Sequence, residues 1–254
     1  MKNFFYKIKA RLFKKKYTFT GKYSSYSEAF KTQKLTSNEY QKFLDSYFKI
    51  RTKNFFDESK VRIYGRFKFC LKFIKSFNKK KLNILDIGGG SNPIFSYVKK
   101  STNIDVSSHV LETAKFVKYI QFKIPKKYLK KLRYSHNFKN ITFKKYDLVF
   151  FGSSFQYLKN IDNVLKKIFR NRIKYIIISD IFLTIENKNF FVLGYKDEPL
   201  VLPNQFWSYN NLISQFTKNN YTILKETKES AKDYLHTSVN YNSYSKYNLI
   251  FKKN

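Results

Sequence analysis

The sequence predicts an α/β fold, a mostly parallel sheet of seven strands behind an N-terminal helical extension. Three observations carry this expectation. From residue 82 onward, short apolar runs alternate with helical or polar stretches, the pattern of strands joined by helices. One run, Leu82, Ile84, Leu85 and Ile87, ends in Gly88-Gly89-Gly90, as a buried parallel strand does on entering a tight turn beside a ligand. Before residue 82 the apolar spacing is helical, near 37–50 and 57–78, and no strand pattern is found. The expected division is an extension over residues 1–80 and an α/β domain over 81–254.

Within the domain, apolar runs place strands at 83–88, 102–106, 139–143, 146–152, 173–181, 221–227 and 247–253. Helical spacing places helices at 94–100, 109–119, 125–133, 160–170 and 208–218. A polar loop from Ser230 to Lys246 joins the last two strands. Residues 17–36 read as polar and turn-rich. There is no internal repeat and no long Gly/Ser or Pro-rich linker.

Composition narrows the chemistry. One cysteine, Cys70, rules out a disulfide framework and a cysteine zinc cluster. His109, His136 and His236 show no ligand spacing, so no metal is expected. No apolar run reaches the ~20 residues that span a bilayer, and charges interrupt the N-terminus too often for a signal peptide. A cytoplasmic protein is expected. The net charge of +34 suits an anionic partner. It also suits AT-rich codon bias, because Lys, Asn, Ile, Phe and Tyr are enriched together and the basic residues are spread over the whole length. Only weak, non-specific nucleic-acid binding follows. Residues 1–16 differ, with Phe4, Phe5, Ile8, Leu12 and Phe13 at helical spacing among lysines and an arginine. This is either an interfacial helix on an anionic membrane or an arm packed on the body.

Open parallel sheets bind ligands beyond the carboxyl ends of their strands. That rule nominates Asp86 to Asn92, Asp105 to Ser108, Gly152 to Tyr157, Asp180 to Thr184 and the Trp207 region. A dinucleotide loop would need a third glycine where Pro93 stands, and no Gly-Lys-Ser/Thr follows to make a phosphate loop. Asp105, about 20 residues after the first motif, is the expected ribose-binding acid. Ser153, Ser154, Gln156 and Tyr157 stand where a donor would lie, although Ser153 or Ser154 can equally cap a helix. Asp180 is the candidate base or orienting carboxylate. Trp207, the only tryptophan, is either a stacking surface for a substrate ring or core. Asp147 begins its strand and is expected to be structural.

The pattern Asp86-x-Gly88-x-Gly90 resembles the first motif of class I S-adenosylmethionine-dependent methyltransferases. Seven strands with the last returning as a hairpin is also the layout of that class. Three segments together resemble a narrower family, methyltransferases found among bacterial surface-polysaccharide genes. They are Phe19-Thr20-Gly21-Lys22-Tyr23-Ser24-Ser25-Tyr26-Ser27-Glu28-Ala29, Leu85-Asp86-Ile87-Gly88-Gly89-Gly90 and Ser153-Ser154-Phe155-Gln156-Tyr157-Leu158. Ile178-Ser179-Asp180 and Trp207 are weaker echoes. Where that family carries Val-Val-Glu at its second strand end, this chain is read as Ile104-Asp105-Val106-Ser107.

The resemblance implies S-adenosylmethionine as cofactor. Asp86, Gly88, Gly89, Gly90, Asp105, Ser153, Ser154 and Gln156 would hold it, Asp180 and Tyr157 would be catalytic, and Trp207 would meet the substrate. The acceptor would be a small-molecule or lipid-linked surface-glycan precursor, methylated at the inner face of the membrane. The alternatives are an RNA or DNA methyltransferase and a non-catalytic protein that keeps the fold and binds a glycan or partner. Against the nucleic-acid alternative, the Asn/Asp-Pro-Pro-Tyr/Phe motif of base methylation is absent, and Cys70 lies in the extension.

Overall fold

A computed structural model describes residues 17–32, 42, 45, 65–90, 92–195, 203–230, 234–236 and 243–254. Among these, eleven strands form one continuous sheet. Seven of them make the expected layout. They are β2 (Lys81–Ile87), β3 (Asp105–Leu111), β4 (Leu132–Ser135), β5 (Leu148–Gly152), β6 (Tyr175–Thr184), β9 (Tyr221–Ser230) and β11 (Tyr244–Lys253). Their order is β4-β3-β2-β5-β6-β11-β9. The first five run parallel, and β11 is antiparallel to both β6 and β9. The chain direction changes side between β2 and β5, so their carboxyl ends mark the switch point.

Two apolar layers bury the sheet. On one face α5 (Ile161–Arg170) and α6 (Tyr209–Thr217) present Leu165, Ile168, Leu212 and Phe216 to Val149, Ile176, Ile178 and Phe251. The Phe216 and Phe251 rings stack with centroids 3.8 Å apart. On the other face α2 (Gly65–Lys75) and α3 (Ile94–Ser101) pack Phe67, Ile74, Phe95 and Tyr97 against Leu82, Ile84 and Ile177. Burial on both faces explains why β2, β5 and β6 read as continuous apolar runs. Asp147 sits just before β5, where its carboxylate accepts from the Asn83 N–H at 2.9 Å and pairs with Lys79, as its place in the sequence implied.

The remaining strands were not foreseen. β1 (Tyr17–Tyr23), β7 (Phe190–Tyr195), β8 (Pro203–Ser208) and β10 (Tyr234–His236) extend the sheet in the order β10-β1-β7-β8. The extension joins β6 through Leu183 beside Trp207 and Thr184 beside Ser208. An aromatic cluster of Phe19, Phe182, Phe190, Phe206 and Tyr244 fills it. Phe19 meets Phe182 and Phe206 edge-on at 5.1 Å each. The first strand therefore lies inside the fold, and the expectation of no strand before residue 82 is corrected. Tyr-Thr-Phe-Thr has β-forming residues, but Gly21 and the serines that follow disguise it as a turn.

This placement accounts for the first family-like segment. Ser25 caps α1 (Tyr26–Lys31) by accepting from the Glu28 N–H, and Glu28 reaches back to Ser24 N–H at 2.9 Å, a capping box. Ala29 is fully buried against Leu193 of β7. The segment thus clamps the added strands.

Other boundaries move. β3 begins where the second strand was expected to end, because its polar alternation hides it. Val106, Ser108 and Val110 are buried while Asp105, Ser107, His109 and Leu111 are half-buried. The predicted helix at 109–119 therefore starts later, as α4 (Ala114–Ile120). The expected strand at 139–143 is two single 3-10 turns, and β4 lies earlier, beginning in the last two residues of the helix expected at 125–133. β4 is a four-residue edge strand, too short for its alternation to show. The basic segment 1–16 lies outside the described residues, as does most of the helical stretch at 37–50. No helix among the described residues is long and apolar enough to cross a membrane.

If β1 is integral, Phe19→Ala should lower stability by about 3–5 kcal/mol, read from urea unfolding. A loss below about 1 kcal/mol would mean that the strand is dispensable.

Candidate active site

The site is built where β2, β3, β5 and β6 end. Asp86, one residue before the end of β2, is fully buried. Its carboxylate accepts from the Ile94 N–H at 2.8 Å, so it caps α3 from across the turn. Pro93, in the capping position, offers no side-chain bond of its own. A carboxylate at a helix N-terminus is favoured by the helix dipole. The turn between them is shaped around that carboxylate. A Cβ on Gly89 would lie 2.5 Å from an Asp86 oxygen. A Cβ on Gly88, whose φ is +72°, would lie 2.4 Å from the Ser154 Cβ. Asp86, expected to accept from the ligand or to brace the turn, braces the turn in this structure.

Gly90 differs from its neighbours. Its φ is +56°, and a Cβ there would meet only Glu112 Oε1, at 3.8 Å. Open space thus lies beside the last glycine, bordered by a carboxylate. Glu112 directly follows β3. Its Oε1 accepts from the Gly90 N–H at 2.9 Å and its Oε2 from the Thr113 N–H at 3.0 Å. Burial raises its pKa, and those two backbone donors partly offset the rise. Tyr134 of β4 donates to the Gly90 carbonyl at 3.0 Å. Burial, with Asp86 and Glu112 nearby, holds its phenol well above the usual range and so protonated.

Asp105 is not in this group. It opens β3, at the opposite pole of the sheet, and pairs with Lys131 with its side chain 42% exposed. Glu112 is the strand-end acid that the sequence reading missed. The signal was present: Val110-Leu111-Glu112 matches the Val-Val-Glu pattern, and Glu112 lies 22 residues beyond Gly90.

At the end of β5, Ser153 and Ser154 divide the work. Ser154 packs on Gly88 and donates to the Ile87 carbonyl, which locks β5 to the glycine turn. Ser153 has φ +65° and donates to Asp180 Oδ2 at 3.0 Å. Asp180 has φ +57° inside β6. It is a β-bulge, because the pairing with β11 shifts register between Tyr247 and Leu249. The intervening Asn248 accepts from the Asp180 N–H at 3.0 Å. The extra residue keeps Ile176, Ile178, Ile181 and Leu183 on one face while re-aiming the aspartate. Lys246 bridges Asp180, at 3.3 Å, and Glu229, at 2.7 Å. Both Asp180 oxygens thus already accept from a neighbour.

Gln156 lies in a 3-10 turn (Phe155–Tyr157) and is buried; Tyr157 beside it is half-buried. Trp207 in β8 is 3% exposed and meets Phe155 edge-on at 5.3 Å. Its ring is core, so the stacking role considered for it is corrected: no face is free for a sugar.

His109 joins β3 to β4 and to Tyr146, which stands just before β5. Its ring nitrogens lie 2.6 Å from the Tyr146 hydroxyl and 2.7 Å from Ser135 Oγ. Burial, with Lys145 and Arg133 nearby, lowers its pKa from 6.5 to about 4. No group of metal-ligand residues occurs among the described residues. A surface hollow lined by Phe143, Lys144, Lys167 and Arg170 touches none of the site residues.

No family model and no curated protein matches the sequence. Solved structures do match. A methyltransferase from Methanosarcina mazei is 15% identical, covering 76% of this chain and 99% of its own, with a TM-score of 0.51. The 1,6-didemethyltoxoflavin N1-methyltransferase of Burkholderia thailandensis, crystallised with 1,6-didemethyltoxoflavin and S-adenosylhomocysteine, is 10% identical over 86% of this chain and 91% of its own, with a TM-score of 0.50. The [4+2]-cyclase SpnF is 10% identical over 73% and 80%, with a TM-score of 0.52.

Two predictions follow from the packing. Gly89→Ala should cost about 1–3 kcal/mol by overpacking Asp86, more than Gly90→Ala, in urea unfolding; equal losses would contradict the loop geometry. For His109, the unfolded chain takes up a proton at higher pH than the folded one, so the neutral ring's contribution is present above pH 6.5 and lost as pH falls toward 4. Wild type should therefore lose more stability than His109→Gln across that window, and parallel pH curves would refute the assignment.

At these identities the likeness fixes the fold and not the reaction: the chain has the α/β fold of the class I S-adenosylmethionine-dependent methyltransferases.

Proposed function

We propose that the chain is an S-adenosylmethionine-dependent methyltransferase acting on a polar group, most simply a hydroxyl, of a surface-glycan precursor. The observation that carries the donor half is Glu112, hydrogen-bonded to the Gly90 N–H and bordering the open space beside that glycine. A carboxylate oxygen has lone pairs beyond the one given to a backbone donor. Glu112 is therefore equipped to accept from ribose hydroxyls while Gly90 lets the ligand approach the backbone. The Burkholderia thailandensis neighbour holds S-adenosylhomocysteine in the same fold. When bound, S-adenosylmethionine supplies an activated methyl group.

The acceptor half rests on the other side of the crevice. Ser153 and Lys246 hold the Asp180 carboxylate in one orientation. There it can accept from the acceptor hydroxyl and fix its line of approach. Methyl transfer gains most from such alignment, so Asp180 is proposed as an orienting group more than as a base, with Tyr157 as the second catalytic candidate. The glycan assignment rests on the three family-like segments of the sequence. Residues 1–16, basic and aromatic, would bring the enzyme to an anionic membrane face where a lipid-linked precursor is displayed.

Calorimetry with S-adenosylhomocysteine tests the donor site. Wild type should bind one equivalent. Glu112→Gln should weaken binding by about 10-fold or more, as expected for a hydrogen bond to a charged group, and Asp105→Asn should leave it unchanged. Gly90→Val should abolish binding by filling the open space. No binding by wild type at millimolar ligand would overturn the reading. Asp180→Asn should lower turnover by about 10²-fold with donor affinity retained; unchanged turnover would remove Asp180 from the site.

A further inference from the structure

The segment that joins β3 to β4 carries a hydrophobic surface that the fold does not bury. Among the described residues, five large hydrophobic side chains are exposed, and three of them, Tyr119, Phe122 and Leu129, fall within this one segment. Phe122 is 85% exposed, so nearly its whole ring lies in water. Single exposed apolar residues are ordinary, whereas several gathered at one place mark an interaction surface. α4 runs without a break into a 3-10 turn (Gln121–Lys123), so Tyr119 and Phe122, three residues apart, share a face. Phe116, Val117 and Ile120, on the other face, are the residues that bury the helix. Phe122 is therefore not what holds the segment to the fold.

The charge around these side chains is of one sign. From Ala114 to Tyr146 the chain carries eleven lysines and arginines and no Asp or Glu. Lys118, Lys123, Lys126, Lys127 and Lys130 are exposed and interleave with Tyr119, Phe122 and Leu129. At the borders Lys115 pairs with Asp45 at 2.6 Å and Lys131 with Asp105, and the Tyr119 hydroxyl donates to Asp45 at 3.3 Å.

We propose that this edge of the molecule docks on an anionic lipid bilayer. Phe122 and Leu129 enter the boundary between headgroups and acyl chains, and the lysines around them meet lipid phosphates. Lysine suits that place, because its stem lies along apolar surface while its ammonium stays in water. Apolar side chains set among lysines are the chemistry of interfacial helices, and each basic residue adds attraction to an anionic leaflet. A second copy of the chain does not fit, because the same lysines would face one another. A nucleic acid would engage the lysines and the Phe122 ring but offers Leu129 nothing apolar to enter. The docked segment starts after Glu112 and ends before Tyr134, both bonded to Gly90, so it is continuous with the glycine turn. The surface is separate from residues 1–16, and it does not depend on the methyltransferase reading.

The test is cosedimentation of the full-length protein, at physiological salt, with phosphatidylcholine vesicles containing about a third phosphatidylglycerol. Wild type should partition onto them. A variant with both Phe122→Ser and Leu129→Ser should partition about 10-fold less or weaker still. Ile185→Ser, which removes a 70% exposed side chain elsewhere, should stay within about 2-fold of wild type. Changing Lys118, Lys126 and Lys130 together to Gln should also cost about 10-fold or more. Melting temperatures should hardly change, because every altered side chain is exposed. Insertion is read directly in Phe122→Trp: lipids brominated on their acyl chains should quench the introduced indole. They should leave wild-type emission unchanged, since Trp207 is 3% exposed.

Four results overturn the inference. One is wild type that does not partition onto these vesicles. Another is unchanged partitioning of the Phe122→Ser, Leu129→Ser variant, or an equal loss in Ile185→Ser, either of which would reduce the binding to general charge. The third is no quenching of the introduced indole by brominated lipid. The fourth is a Phe122→Ser variant that loses affinity for homopolymeric RNA but not for vesicles, which would make the surface a nucleic-acid contact. S-adenosylhomocysteine affinity is measured apart from partitioning, so loss of either reading leaves the other standing.

Discussion

A single buried carboxylate organises this molecule. Asp86 sits in the most apolar part of the sheet, and its position is tolerable only because a helix N-terminus meets it there. That contact fixes where β2 stops and where α3 starts. It forces the turn between them to be glycine, since any side chain at Gly89 would strike the carboxylate. It also orients Gly90 so that its N–H points at Glu112. Cap, turn and strand-end acid are one construction. Removing the Asp86 charge would leave the α3 N-terminus without its cap and the glycine turn without its template.

A second device is the bulge at Asp180. A regular β6 would carry Ile181 and Leu183 to the wrong face and break the contact with Trp207. The bulge resets the alternation, and in doing so it turns a carboxylate toward Ser153 and Lys246. Beyond it, β6 passes from the central sheet into the added strands. The aromatic cluster around Phe19 and Phe206 secures that junction. The fold thus places this irregular backbone close to where the central strands pass into the added ones.

Much of the central sheet was legible in the sequence, because strands buried on both faces leave continuous apolar runs. β2, β5, β6 and β11 are of this kind, and so is the glycine turn. β3 was misplaced for a physical reason. His109 and Ser108 are polar residues inside a strand, tolerated because His109 is hydrogen-bonded to Tyr146 and Ser135 from elsewhere in the chain. Shifting that strand moved the acid from Glu112 to Asp105. The added strands escaped because the segment around Gly21 read as turn-rich, and because pairing such as that of Thr18 with Tyr195 joins residues far apart in sequence. Asp180 and Ser153 were nominated by their strand-end position, but the bulge that couples them depends on the register with β11, which no local pattern encodes.

The central claim is that the donor lies between the glycine turn and Glu112. A crystal structure of the protein with S-adenosylhomocysteine tests it most directly. The account predicts both ribose hydroxyls within hydrogen-bond distance of the Glu112 carboxylate, with the ligand against Gly88–Gly90. Ligand density at any other place, or ribose hydroxyls bonded to a different acid while Glu112 keeps only its backbone donors, would contradict it.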